Sequence, residues 1–212
     1  GPRQWKTKFQ KCSRSLQSPI DLTGHTVRHQ QILPLVLRTA DGATTTPVRV
    51  KNDGASVFMK PTTSNVIIEG GSLPGQFVVT NLHFHWGQSD KDGSEHRIAG
   101  KAYPLEIHIV TFNRKYRNLQ EASGASDGIH VIAVLYEVSK SSNSGLNICT
   151  SKLDSVVDIG SEVDGGSVDI SSILPGPSVP IFRYRGSLTT PPCTENIIWS
   201  VYARPQAISV EQ

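Results

Sequence analysis

The sequence predicts a mainly β fold with some α content, organised as a single domain around one large sheet. Three observations carry that expectation. Short apolar or alternating runs recur along the chain, at Val48–Val50, Val66–Glu69, Gln76–Trp86, Leu105–Asn113, His130–Val138, Ile181–Tyr184 and Asn196–Tyr202. Turn formers separate them, among them Asn52-Asp53-Gly54, Gly70-Gly71, Asp90–Gly93 and Pro175–Pro177. Such runs bounded by Gly, Pro, Asn and Asp are the signature of strands and turns. Helical spacing is confined to Leu146–Val157, where Leu146, Leu153, Val156 and Val157 would form a buried face. Val168–Leu174 reads as a short helical turn before Pro175, and 13–31 as mostly irregular chain.

At 212 residues the chain can bury one large core, and no interdomain linker, repeat or low-complexity tract interrupts it. Residues 3–212 are therefore expected to form one domain; Gly1-Pro2 reads as a remnant of tag removal. Charged residues make up 18% and the net charge is +3. Basic clusters such as Lys6/Lys8/Lys11 and Arg114/Lys115/Arg117 lack any base-stacking motif, so they read as solvated surface and no nucleic-acid partner is expected. No apolar run approaches the ~18 residues that span a bilayer, so no membrane span is expected. No signal peptide is visible, although a mature chain would have lost one.

Chemistry concentrates in Asn81-Leu82-His83-Phe84-His85-Trp86-Gly87. Side chains alternate faces along a strand, so Asn81, His83 and His85 share one face, while Leu82, Phe84 and Trp86 share the other and look like core. In Leu105–Val110, Glu106 and His108 share a face in the same way. The Asp90–Gly93 turn and the segment after it could bring the two strands together. Three neutral imidazoles would then fill three corners of a tetrahedron and leave the fourth open, the mark of a catalytic rather than a structural zinc. Asn81 and Glu106 could hold ring N–H groups of the ligands. Spacing alone leaves open that these are hydrogen-bonded core histidines. His25 and His29 fall in a polar loop and read as solvated; His130 begins a strand without a partner nearby in sequence.

These motifs, with Gln17-Ser18-Pro19-Ile20-Asp21-Leu22, Gly93-Ser94-Glu95-His96 and Gly186-Ser187-Leu188-Thr189-Thr190-Pro191-Pro192, occur in an order that closely resembles the α-class carbonic anhydrases, from about Trp5 to the end of the chain. The resemblance implies a large, mostly antiparallel twisted central sheet with short surface helices. It also implies a catalytic Zn²⁺ on His83, His85 and His108, and reversible hydration of CO₂ to bicarbonate. Thr189 matches the hydroxyl that accepts a hydrogen bond from the hydroxide nucleophile, and Glu95 the carboxylate to which that threonine donates. Thr190 matches a bicarbonate-site residue, and Val110, Val131, Leu188, Ile197 and Trp199 the apolar wall that receives CO₂. Asn81, Glu106 and His96 match supporting positions around the ligands. Aromatic sulfonamides are the expected inhibitors.

Two departures accompany the resemblance. The proton-shuttle histidine of the fast relatives is absent: the matching position is Ala55, and Phe58 stands where several relatives carry a polar side chain. The chain also stops short of the family's usual C-terminal segment, which carries a further strand and a backbone contact to one ligand histidine. By resemblance, Cys12 and Cys193 occupy the slots that extracellular relatives join in a disulfide, implying a secreted or extracellular protein and leaving Cys149 unpaired. No N-x-Ser/Thr acceptor is present. Two function classes follow: a zinc lyase, and a related extracellular module that binds a partner or matrix with little catalysis. Retention of all three histidines with Glu95 and Thr189 favours the lyase.

Overall fold

A computed structural model describes residues 2–23 and 32–212; His25 and His29 lie outside the described residues. Its strands are β1 (Asp21–Leu22), β2 (Leu35–Thr39), β3 (Thr46–Asn52), β4 (Val57–Pro61), β5 (Val66–Gly70), β6 (Phe77–Trp86) and β7 (Arg97–Ile98). They continue with β8 (Leu105–Asn113), β9 (Ile129–Ser139), β10 (Glu162–Val168), β11 (Ile181–Ser187), β12 (Glu195–Tyr202) and β13 (Gln206–Ser209). Eleven of them form one sheet whose main path runs β10-β3-β4-β6-β8-β9-β12-β11. Most pairs are antiparallel, as expected, but β12 and β13 both run parallel to β9. The small β1–β7 pair is also parallel.

Burial follows position in the sheet. Buried residues alternate with less buried ones along β2 and β4, whereas the first eight residues of β9 are all buried. A central strand covered on both faces needs a nearly continuous apolar run, and Ile129–Tyr136 supplies it with His130 as the one polar member. Two apolar clusters line the two faces. Leu82, Phe84, Ile107, Ile109, Ile132 and Val134 belong to one. Val110, Val131, Ala133, Ile197, Trp199 and Val201 belong to the other.

Two expectations are corrected. Trp86, read as core with Leu82 and Phe84, is 58% exposed while those two are buried. It is the last residue of β6, where the covering layer has ended. Leu146–Val157 is not one helix: short helical turns at Ser144–Leu146, Asn147–Thr150 and Leu153–Ser155 replace it. Hydroxyl side chains within it bond back to the backbone, Thr150 Oγ1 to the Leu146 carbonyl and Ser151 Oγ to that of Ile148. This local competition disfavours a continuous helix. Leu146 and Val156 are buried, but Leu153 and Val157 are exposed. The turn expected near Val168–Leu174 is present at Ile170–Ile173. No helix among the described residues is long and apolar enough to cross a membrane.

Candidate metal centre

Adjacent antiparallel strands β6 and β8 bring the histidines together. Their register sets His83 opposite His108, His85 opposite Glu106 and Asn81 opposite Val110. The alternation read from sequence then puts all six side chains on the face of the second cluster. The turn between these strands depends on glycine. A Cβ at Gly87 would lie 2.0 Å from the Asp92 carbonyl oxygen, and one at Gly93 2.2 Å from that of Pro104. Only a residue without a side chain allows this approach.

The three rings form a tight group, with centroids 5.1 Å apart for His83–His85, 5.2 Å for His83–His108 and 4.5 Å for His85–His108. One ring nitrogen from each lies within 4.8 Å of the others. Hydrogen bonds at the back of the rings select which nitrogens face inward. His83 Nδ1 lies 3.1 Å from Asn81 Oδ1, and His108 Nε2 lies 2.6 Å from Glu106 Oε1. These contacts leave His83 Nε2 and His108 Nδ1 as the nitrogens facing the other rings. His85 Nε2 sits 3.2 Å from that Nδ1. Burial, reinforced by the neighbouring imidazoles, pushes His83 down to about 2 and His85 down to about 3. Both rings are therefore neutral in the physiological range, the state a metal ligand requires.

The supporting residues form a chain. Glu106, wholly buried, also accepts from His96 Nδ1 at 2.6 Å and from the His96 backbone N–H at 2.8 Å. Burial pushes its carboxyl upward, but His108 and His96 outweigh that and hold it below the usual carboxylate range. His96 Nε2 continues to the Tyr184 hydroxyl at 2.7 Å, which meets Ser18 Oγ at 2.8 Å. Tyr184 and Ser18 were not singled out as site residues from sequence. They lie 88 and 78 positions from His96, and no local spacing connects them. His96 also touches Glu106 and His108 closely enough to form a second metal-capable group. There, however, the near atoms are already joined by hydrogen bonds.

Thr189 lies in the loop between β11 and β12. That loop is closed by Leu188 N–H to the Thr194 carbonyl and Cys193 N–H to that of Thr190, both 2.9 Å. The Cys12–Cys193 disulfide ties it to the N-terminal segment. Burial raises the Glu95 pKa, and the nearby Thr189 side chain opposes that rise. Glu95 Oε2 is buried without a hydrogen-bond partner among the described residues, 3.5 Å from His85 Nε2 and 3.8 Å from His108 Nδ1. An orphaned carboxylate oxygen beside inward-facing imidazole lone pairs fits a cation or a proton donor between them. The all-nitrogen donor set fits Zn²⁺.

Val110, Val131, Ile197 and Trp199, with partly buried Leu188, pack as one apolar group. Trp199 lies against His108 at 4.8 Å between centroids, so that group adjoins the histidines. Thr190 is exposed. Ala55 is exposed in the turn between β3 and β4, where the Asp53 carboxylate accepts from the Ala55 and Ser56 N–H groups. Phe58 pairs with His83 across β4 and β6, its ring 5.1 Å from the imidazole.

Comparison with known proteins agrees with this geometry. The family model for eukaryotic-type carbonic anhydrases matches residues 1–212. Carbonic anhydrase 3 of Homo sapiens is 32% identical over 212 residues, covering all of this chain and 81% of that protein. Carbonic anhydrase 12 of Homo sapiens is 36% identical over 215 residues, again covering all of this chain but only 60% of that protein.

Proposed function

The chain belongs to the eukaryotic-type carbonic anhydrase family, and from that premise we propose that residues 3–212 form a single domain that interconverts CO₂ and bicarbonate with a zinc ion held by His83, His85 and His108. The observation that carries this reading is the convergence of three imidazoles, those of His83 and His85 neutral, on one point beside Glu95 and Thr189. Zinc bound there supplies a Lewis acid that lowers the pKa of water from 15.7 to roughly 7.

The residues do the rest. Asn81 and Glu106 fix the tautomers of His83 and His108, so their lone pairs point at the metal. Thr189, donating to Glu95, can only accept from a nucleophile beside it. That fixes the direction of the nucleophile's lone pair, the kind of orientation that converts binding into rate. Val110, Val131, Leu188, Ile197 and Trp199 offer apolar CO₂ a surface that orders no competing water. Thr190, at the exposed end of the loop, accepts the more polar product. No histidine stands at Ala55 to carry the proton out, so proton release limits turnover. The Cys12–Cys193 disulfide supports a secreted or extracellular setting.

Stopped-flow CO₂ hydration by the zinc-loaded protein, with and without an aromatic sulfonamide, tests this. Sulfonamide-sensitive hydration is expected. Its absence from folded, zinc-loaded protein overturns the reading in favour of a non-catalytic binding module.

A further inference from the structure

Leu16 and Gln17 play no direct part in the zinc chemistry, yet they meet the loop that carries Thr189. That loop, 188–194, leaves the sheet at Ser187 on β11 and rejoins it at Glu195 on β12, two residues paired across the strands just past a register shift. Both ends of the loop are held by one short stretch of chain, Leu16-Gln17-Ser18. At the β11 end the two serines exchange hydrogen bonds. Ser18 N–H donates to Ser187 Oγ at 3.0 Å, and Ser187 N–H donates to Ser18 Oγ at 3.1 Å. At the β12 end, Glu195 Oε1 accepts from Leu16 N–H at 2.8 Å and from the Gln17 side-chain amide at 3.2 Å. The same amide nitrogen donates to the Lys11 carbonyl at 3.1 Å, in the turn that carries Cys12.

The Cys12–Cys193 disulfide holds the middle of the loop, but its far end is weakly anchored, because no residue of the turn Gln10–Ser13 is buried. The Glu195 contacts supply what that turn lacks. A carboxylate suits the place: it only accepts, and both neighbours present donors. Hydrogen bonds to a carboxylate are also stronger than those between neutral groups. Leu188 N–H reaches the Thr194 carbonyl next to this clamp, so a shift at Glu195 passes directly to the residue before Thr189.

We propose that Glu195 is a positioning residue for CO₂ hydration. By clamping the β12 end of the loop to Leu16 and Gln17, it holds the Thr189 hydroxyl where it can orient the nucleophile. The proposal rests on the hydration reading above, and Glu195 acts through Thr189 rather than on the reacting atoms.

Glu195→Ala removes the acceptor, whereas Glu195→Gln keeps a side-chain oxygen in its place. Amide hydrogen exchange reads the loop without any need for activity. Exchange across 186–196 should quicken by roughly 10-fold in the alanine variant, as expected for loss of hydrogen bonds to a charged group. Exchange across 81–86 and 105–110 should stay native, and the glutamine variant should lie close to wild type. In the zinc-loaded protein, kcat/KM should fall by roughly 10-fold in Glu195→Ala, because Thr189 is misplaced. The kcat, set by proton release, should fall less, zinc affinity should be unchanged, and Glu195→Gln should restore most of the loss. Native exchange across 186–196 in Glu195→Ala overturns the clamp. Quickened exchange with an unchanged kcat/KM overturns the positioning role. A wild type that hydrates no CO₂ overturns the hydration reading, and the positioning role with it, whatever the exchange shows. If Glu195→Ala does not fold, Gln17→Leu, which removes one of the two donors, should give the same pattern at smaller size, and native behaviour there overturns the proposal.

Discussion

His83 and His108 are held differently, and the difference sets what substitutions should do. A wholly buried carboxylate fixes His108, whereas a neutral amide fixes His83. Asn81→Leu removes the amide while keeping comparable bulk. It should weaken zinc affinity by roughly 10–100-fold with an unchanged fold, measured by chelator competition. Thr189→Val should instead leave zinc affinity intact and cut kcat/KM by roughly 10²-fold, because it removes orientation rather than a ligand. Small imidazole buffers should raise the turnover of the native protein, and Ala55→His should make the rate less dependent on them. If neither changes kcat, proton release is not limiting.

At the scale of elements, the β6–β8 pair sets the site and the broken helical segment after β9 supports the opposite face. Leu146 is buried in the first apolar cluster although its segment is not a continuous helix. Leu146→Ala should cost about 2–5 kcal/mol in denaturant unfolding. Val157, 73% exposed in the same segment, should tolerate alanine within about 0.5 kcal/mol. A continuous amphipathic helix with both residues inside would give two large losses, so the pair of measurements separates the two arrangements.

For the whole molecule, the disulfide and the buried histidines set stability. Cys12 and Cys193 are 181 positions apart. Closing a loop of that length is worth about 5 kcal/mol in the chain-entropy model. Reduction should lower unfolding stability by up to that amount and loosen the Thr189 loop. Acid acts through His83, His85 and His130, whose pKa values burial lowers in the folded state. Below about 6.5 the unfolded chain binds protons there and the folded chain does not, so stability falls as pH falls. The metal-free protein should lose up to about 1.4 kcal/mol per pH unit for each such histidine below that point. A flat denaturation midpoint between pH 7 and pH 5 would contradict neutral burial of these rings.

The alternation in 81–86 and 105–110 already placed Asn81, His83, His85, Glu106 and His108 on shared faces, because strand periodicity is a local property of the backbone. The ordered motifs extended that to Glu95, Thr189 and the family. Local pattern could not show that Trp86 falls beyond the covering layer, or that Leu146–Val157 breaks into turns, since burial and capping depend on what packs alongside. Nor could it join His96 to Tyr184 and Ser18, or His130 to Ser200 and Arg183. Those contacts cross strands distant in sequence, and only the register of β8, β9, β12 and β11 decides which side chains meet. The sequence by itself determined which histidines are candidate ligands and the side of the strand they occupy. Tertiary structure alone decided their hydrogen-bond partners, the neutrality of His83 and His85, and the meeting of His130, Ser200 and Arg183, because each depends on burial and on partners that no local spacing encodes.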